Sequence, residues 1–477
     1  MSTRALPTVV FLSLSTLLST EVPASEATWK AGTARAKITP EKPLMMAGYG
    51  GREPVASAAN RLHDLWVKVL ALEAADGHRA VVVTTDLCGL AKRSYDAVCE
   101  GARQRCGLDR SQVKLTCSHT HTGPLLRECF EDFNPLTDEQ RRDVDQYTDA
   151  LEKTIVDKIA EALENMTPAT LSASEGFTDF AVNRRNNREA DVPEIRKRGE
   201  PLQGPVDHTV PVLVVRAGDG SVRAVVFGYA CHTTTLNTLQ WSGDYAGFAM
   251  LDLEKSHPGA QAMFFQGCGA DQNPLPRRSV ELCRQYGGML AAAVEEALRK
   301  PATPIGPALA TAFEYAELKF DRHPTMAELQ EETARGGQKG RWAARLIRQL
   351  EQGQPLADSC PYPVQVWRLG EQLWISLAGE VVVDYSLHYK AKYGAATWVH
   401  GYSHDMVAHV PSRRVWNEGG YEAGYSDQFN QPAERWAGDV EDRINAAVDR
   451  LVAKVKSRLA GSDGRRSRTC QEARRAA

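Results

Sequence analysis

The chain has 477 residues, 43% hydrophobic and 25% charged, with a formal net charge of −3. Such a balance describes an ordinary soluble protein with apolar material for a large core. It excludes bulk electrostatic attraction to nucleic acid or to anionic lipid, so no nucleic-acid partner is expected.

Residues 1–26 read as an export signal. Arg4 supplies the positive start, "LPTVVFLSLSTLLST" an apolar centre, and the small residues of "EVPASEA" a cleavage region near Ala24 to Ala27. A lone membrane anchor is the other reading of this stretch, disfavoured by its shortness and its Ser/Thr content. No later segment reaches the roughly 20 apolar residues of a membrane-spanning helix. The expectation is an exported protein that is periplasmic, secreted or cell-surface. The 10 cysteines form no CxxC pair, and their pairing is not readable.

After the signal, "AGTARAKITP" alternates as a short strand. Residues 65–74 and 79–88 are β-rich runs around a DG turn and read as a hairpin. A helix follows over about 90–107, then a strand over 113–118. Residues 137–166 have apolar positions at three and four spacing behind a polar start, the pattern of a long helix. Residues 211–232 are two more strands around a DG turn, and 260–274 is an apolar strand breaking into a Gly-rich loop. A helix over about 279–299 and a strand over 308–320 come next. Residues 324–352 are charged, helical and polar on most faces, which suggests a surface insertion. A third strand pair lies within 362–380, and 458–477 reads as an Arg-rich tail without order.

Strands mix with helices and several pair locally, with no repeat and no linker between hydrophobic halves. That predicts an α/β fold, a single large domain over residues 31–457 with a central mixed β-sheet and surrounding helices. No GxGxxG, GxxxxGK[ST] or GxSxG is present, so dinucleotide, P-loop and serine-hydrolase readings lack support.

Four strand ends carry unusual polar residues: "SHTHTGP" with His119 and His121, "YACHTTTLN" with His232, "SLAGE" with Glu380, and "MVAHVPS" with His409. A single strand-end histidine is more often structural than a ligand. His119-x-His121 is the stronger signal, because alternate strand residues share a face. Three imidazoles and a carboxylate would suit Zn²⁺, but spacing alone supports no more than a candidate site.

The motifs "SHTHTGP", "NRR", "CHTTTLN…WSGDYAG", "FFQGCGADQNP", "AGE" and "GGYE" occur in an order that resembles the catalytic domain of the neutral/alkaline ceramidases, which are secreted or membrane-associated zinc amidases. The resemblance runs from about Ala31 to about Arg450, without the family's C-terminal immunoglobulin-like domain. It implies zinc ligands at His119, His232 and Glu380. The family's fourth ligand, a tyrosine twelve residues before an active-site tyrosine, falls on His409, the later tyrosine being Tyr421. The resemblance also places His121 beside the substrate and has Arg184 contact it.

One departure concerns the loop "GADQNP", where the family carries a catalytic serine. The corresponding position is read as Gln272, flanked by Asp271 and Asn273. The expected activity is a zinc-dependent hydrolase that cleaves an N-acyl bond of a small-molecule or lipid substrate, with room for peripheral membrane contact. Tyr421 and Arg184 would stabilise the oxyanion, His121 would shuttle the proton, and Asp271 or Gln272 would orient substrate or water. Asp86 and Asp244 would accept the free N–H of the histidines. Two alternatives stay open: the same scaffold acting on a polar N-acyl sugar or glycan, and a non-catalytic secreted protein with a structural metal.

Overall fold

The computed structural model describes residues 29–476 apart from 53–55, 58, 131 and 425, with side chains up to residue 458. The expected export signal, 1–26, lies outside the described residues. In chain order the elements begin with strands β1 (Trp29–Lys37), β2 (Trp66–Glu73) and β3 (Arg79–Thr85), then α1 (Lys92–Cys106), β4 (Val113–Cys117) and α2 (Asp138–Glu164). There follow β5 (Thr167–Phe177), β6 (Ala181–Asn183), α3 (Val192–Lys197), β7 (Thr209–Ala217), β8 (Val222–Tyr229), α4 (Asp244–Ser256), β9 (Gln261–Gln266), β10 (Gln272–Pro274) and α5 (Val280–Arg299). Next come β11 (Thr303–Ile305), β12 (Leu309–Lys319), α6 (Met326–Arg335), α7 (Gly337–Glu351), β13 (Ser359–Leu369) and β14 (Gln372–Leu377). The chain ends with β15 (Glu380–Val381), α8 (Val383–Tyr393), β16 (Trp398–His400), β17 (His409–Val410), α9 (Arg413–Glu418) and α10 (Val440–Ala476).

The large mixed sheet has the order β4-β3-β2-β1-β5-β7-β8-β9, with β11 paired to β5. Its interior pairs are antiparallel, whereas the outer pairs β3–β4 and β8–β9 are parallel. Each parallel pair needs a crossover, which α1 and α4 supply. A second sheet, β12-β13-β14-β16, repeats the device, since β14 and β16 are parallel with α8 between them. The end of β16 and the segment after it bridge both edges of the large sheet, at Gly267↔His400 and Thr116↔Ser403. The ends of β4, β8 and β14 are thereby drawn toward one region.

The long helix α2 starts where the sequence indicates. Thr137 Oγ1 accepts from the Gln140 N–H, and Gln140 Oε1 accepts from the Thr137 N–H, a reciprocal cap. Its buried face, with Val144, Leu151, Ile155 and Ile159, packs into the main core beside Val67, Val83 and Leu115. The 324–352 segment is more than a polar surface insertion. It forms the pair α6–α7 around its own core of Leu329, Trp342, Ala343 and Leu346. Its few apolar residues are concentrated on one face of each helix, which a window average conceals. The backbone of α10 takes in 458–476, the Arg-rich stretch for which no order was expected. Among the described residues no helix is long and apolar enough to cross a membrane, and Cys88, Cys117, Cys231, Cys268 and Cys283 are buried thiols.

Candidate metal centre

Three side chains meet because three strands, each a member of a different parallel pair, end near one place. His119 lies two residues beyond β4, His232 three beyond β8, and Glu380 three beyond β14. Glu380 also starts β15, whose parallel partner β17 sets His409 directly beside it in register. Gly379 precedes Glu380 at φ +66°, and a Cβ there would come within 2.4 Å of the Ala408 carbonyl. Only glycine allows the two ligand-bearing segments this approach.

One oxygen of Glu380, Oε2, lies 3.0 Å from His232 Nε2, 3.4 Å from His409 Nε2 and 3.5 Å from His119 Nε2. The ligand atoms of His119, His232 and Glu380 all lie within 4.8 Å of one another. On the far side of two of the rings, His119 Nδ1 donates to the Cys88 carbonyl at 2.7 Å, and His232 Nδ1 donates to the Gly269 carbonyl at 2.7 Å. With Nδ1 carrying the proton, Nε2 of each ring faces Glu380 as a lone pair. Lone pairs held this close to a carboxylate oxygen repel unless a cation stands among them. Neither ring nitrogen of His409 has a hydrogen-bond partner, although both are buried. An acceptor-rich, buried set of three imidazoles and one carboxylate fits a borderline-soft divalent ion such as zinc.

Burial, followed by the Arg184 charge, pushes His232 down to about 4. His121 is also driven well below its ordinary value, by burial and then by His119.

The cluster opens on a cavity of about 240 Å³. His121 lines it, with Nε2 3.0 Å from His119 Nε2 and a buried Nδ1 without a partner. Gly48 closes over this ring, since a Cβ there would sit 2.4 Å from it. Arg184 donates from Nε to Glu422 at 2.8 Å, while its Nη2 is buried and unpartnered. The Tyr421 ring lies edge-on to His409, centroids 4.6 Å apart, with the Arg184 guanidinium 5.1 Å from its own centroid. Burial raises the Tyr421 hydroxyl pKa, and the Glu380 charge adds to this. A second, more polar cavity of about 560 Å³ shares Arg184, Arg277 and Tyr421 with the first.

Several sequence expectations need correction here. Gln272 is fully buried and lines neither cavity: Oε1 accepts from the Asp207 N–H at 3.1 Å, and Nε2 donates to the carbonyls of Ala230 at 2.5 Å and Cys268 at 3.3 Å. Residues 272–274 form strand β10, so side chains alternate, and Asn273 is the one that faces the larger cavity. Its Oδ1 is buried without a partner. Asp271 is likewise buried behind the site: Oδ1 accepts from the Val383 N–H at 2.9 Å and Oδ2 from Asn183 at 3.2 Å. Burial pushes its carboxyl up to about 7. Asp86 and Asp244 do not hold the histidines. Asp86 accepts from the Trp66 N–H, and Asp244 from the N–H groups of Thr235, Leu236 and Tyr245, so it braces the loop behind His232. The histidines' actual acceptors are backbone carbonyls, which no residue pattern reveals.

The neutral/alkaline non-lysosomal ceramidase N-terminal family matches residues 29–276, more than half of the chain. The chain belongs to that family. Among solved structures, it is similar to the neutral ceramidase from Pseudomonas aeruginosa, with a TM-score of 0.66 at 19% identity, covering 89% of this chain and 75% of that one. It is similar also to a ceramidase complexed with C2, with a TM-score of 0.66 at 16% identity, covering 89% of this chain and 76% of that one. No curated protein matches the sequence. The α/β architecture with its large mixed sheet is thus the neutral ceramidase fold, and the chain is a ceramidase-like hydrolase.

Proposed function

We propose that the chain is a zinc-dependent amidohydrolase that cleaves an N-acyl bond. The observation that carries this reading is the meeting of three imidazole Nε2 atoms on one Glu380 oxygen, at the wall of a cavity. His119, His232, Glu380 and His409 would hold the ion, which when bound supplies the Lewis acidity that brings the pKa of water from about 15.7 toward about 7. A closed structural zinc site is the weaker reading, because His119, His232 and Glu380 themselves line the cavity.

The remaining work falls to the chain's own groups. Arg184, oriented by Glu422, has Nη2 free to donate to a carbonyl oxygen as negative charge develops there, a contribution of roughly 3 kcal/mol. His121 would take a proton from the attacking water at its unpartnered Nδ1 and return it to the departing nitrogen. Tyr421 packs against His409 and Arg184 and limits water at the mouth. An amide is the bond favoured because ceramide, named in the related neutral ceramidase, is an N-acyl compound. Export through residues 1–26 is part of the proposal, and the N-terminal sequence of protein recovered outside the cytoplasm tests it.

Zinc-loaded protein should release fatty acid from a fluorescent short-chain ceramide, or from N-acylglucosamine, in a chelator-sensitive manner. His119→Ala should lose both the zinc and the turnover. An active, zinc-free His119→Ala protein would refute the assignment.

A further inference from the structure

The cavity beside the imidazole cluster is small, and its apolar side is fixed from outside. Phe130, Phe133 and Phe429 form that side, with the rings of Phe130 and Phe429 5.4 Å apart. A cavity of about 150 Å³ holds one benzene-sized molecule. By that scale 240 Å³ holds roughly ten non-hydrogen atoms, and the amide group itself takes several of them.

The wall is not free to swing open. Glu128, Phe130 and Asn430 adopt φ values of +61°, +54° and +64°. Non-glycine residues keep such conformations only where the surroundings impose them. Helix α7 holds Asn430 itself and the neighbouring Asp132 and Phe133. Arg341 donates to the carbonyls of Asp132 at 2.9 Å and Phe133 at 3.2 Å. Arg345 donates to the Asp132 carboxylate at 2.7 Å and to the Asn430 carbonyl at 3.0 Å, and Trp342 to the Gln431 carbonyl at 2.7 Å. Asn430 then joins the two loops, accepting from the Asp132 N–H and donating to the Glu128 carbonyl. Beyond Arg184 and Tyr421, the larger cavity is lined by Asn186, Asn273, Arg188 and other polar groups.

We propose that the substrate is an N-acyl compound with a short acyl group, about six carbons or fewer, lodged against Phe130, Phe133 and Phe429. Its amine part is polar and occupies the larger cavity, and Arg341 and Arg345 set the length limit by pinning the aromatic wall. The assignment rests on the amide-hydrolase reading. Water adds its oxygen to the acyl carbon, the C–N bond breaks, and the nitrogen leaves as a protonated amine beside a short carboxylate.

The test titrates zinc-loaded full-length protein with straight-chain alkyl hydroxamates of two to twelve carbons. In parallel, amine release is followed from N-acyl-D-glucosamines of the same lengths. Affinity should rise up to about fourfold per methylene as far as six carbons and then stop rising or fall. Arg345→Ala and Phe133→Ala should each move this break to longer chains, with KM for octanoylglucosamine changing more than kcat. Affinity that keeps rising to twelve carbons in the parent protein overturns the length limit, and a break unmoved in both folded variants overturns the pinned wall. A break at six carbons with no hydrolysis of any amide supports the chamber and refutes the hydrolase reading instead.

Discussion

Replacing Glu380 by Gln keeps the side chain's shape and removes its charge. The side chains around it are buried, with exposures of 0%, 3% and 1% for His119, His232 and His409 and 6% for Glu380 itself. That burial decides the magnitude: an exposed charge pair is worth about 1 kcal/mol at most, whereas losing one partner of a buried pair costs about 3–5 kcal/mol. The zinc dissociation constant should therefore rise by about 100-fold or more. At zinc about 1,000-fold above its dissociation constant the parent protein gains about 4 kcal/mol of stability. The variant at the same concentration gains about 1.4 kcal/mol or less. Urea unfolding of chelated and zinc-loaded samples, with bound zinc measured by atomic absorption, reads both effects. A Glu380→Gln protein that holds one zinc per chain and shows the parent's full stabilisation would refute the cluster as the metal site.

Arg184→Lys keeps the charge but loses the unpartnered Nη2, so kcat/KM should fall by about 100-fold while zinc content stays at the parent level. Loss of zinc together with activity would show that Arg184 supports the cluster rather than the substrate. Gln272→Ala should cost about 3 kcal/mol in urea unfolding, since the Asp207 N–H and two carbonyls lose their partner inside the fold. Parent-like stability with abolished turnover would return Gln272 to the cavity. Asp271, pushed up to about 7 by burial, binds a proton in the folded chain between about pH 4 and 7 that the unfolded chain releases, so its contribution to stability declines as pH rises through that window. Asp271→Asn should shift the slope of unfolding free energy between pH 5 and 6.5 upward by as much as about 1.4 kcal/mol per pH unit, and coincident slopes would mean that Asp271 is ionised in the fold.

Much of the architecture is legible from periodicity. The hairpin of β2 and β3, the helix α2 with its reciprocal cap, and the strands that end before His119 and His232 all follow local patterns of two or 3.6 residues. The pairing of Glu380 with His409 is not legible in that way. It depends on two strands of two residues each, too short for any pattern. The misplacement of Gln272 has a similar cause. Residues 271–274 read as a Gly-rich loop, but they pair with β6 as a strand, and one residue of register exchanges the buried face for the cavity face. The role of α7 was hidden because its arginines act through the carbonyl groups of distant loops.

The cluster is organised by the backbone before any ion binds. Each of its three loops has a left-handed residue at or near the ligand: His119 itself at φ +59°, Asp244 at φ +54° bracing the loop of His232, and Gly379 at φ +66° before Glu380. Two of these are not glycine, and each costs on the order of 1–3 kcal/mol. At His119 and Gly379 the left-handed residue lies just past a strand end, and the Nδ1 protons of His119 and His232 reach the carbonyls of Cys88 and Gly269. Those two bonds decide which nitrogen stays unprotonated and hold each ring's Nε2 toward Glu380. On the zinc reading, a cation among the lone pairs would relieve their mutual repulsion. Backbone strain and closely set acceptors thus coincide at the wall of one cavity, where a hydrolase needs a fixed electrophile rather than an adaptable surface.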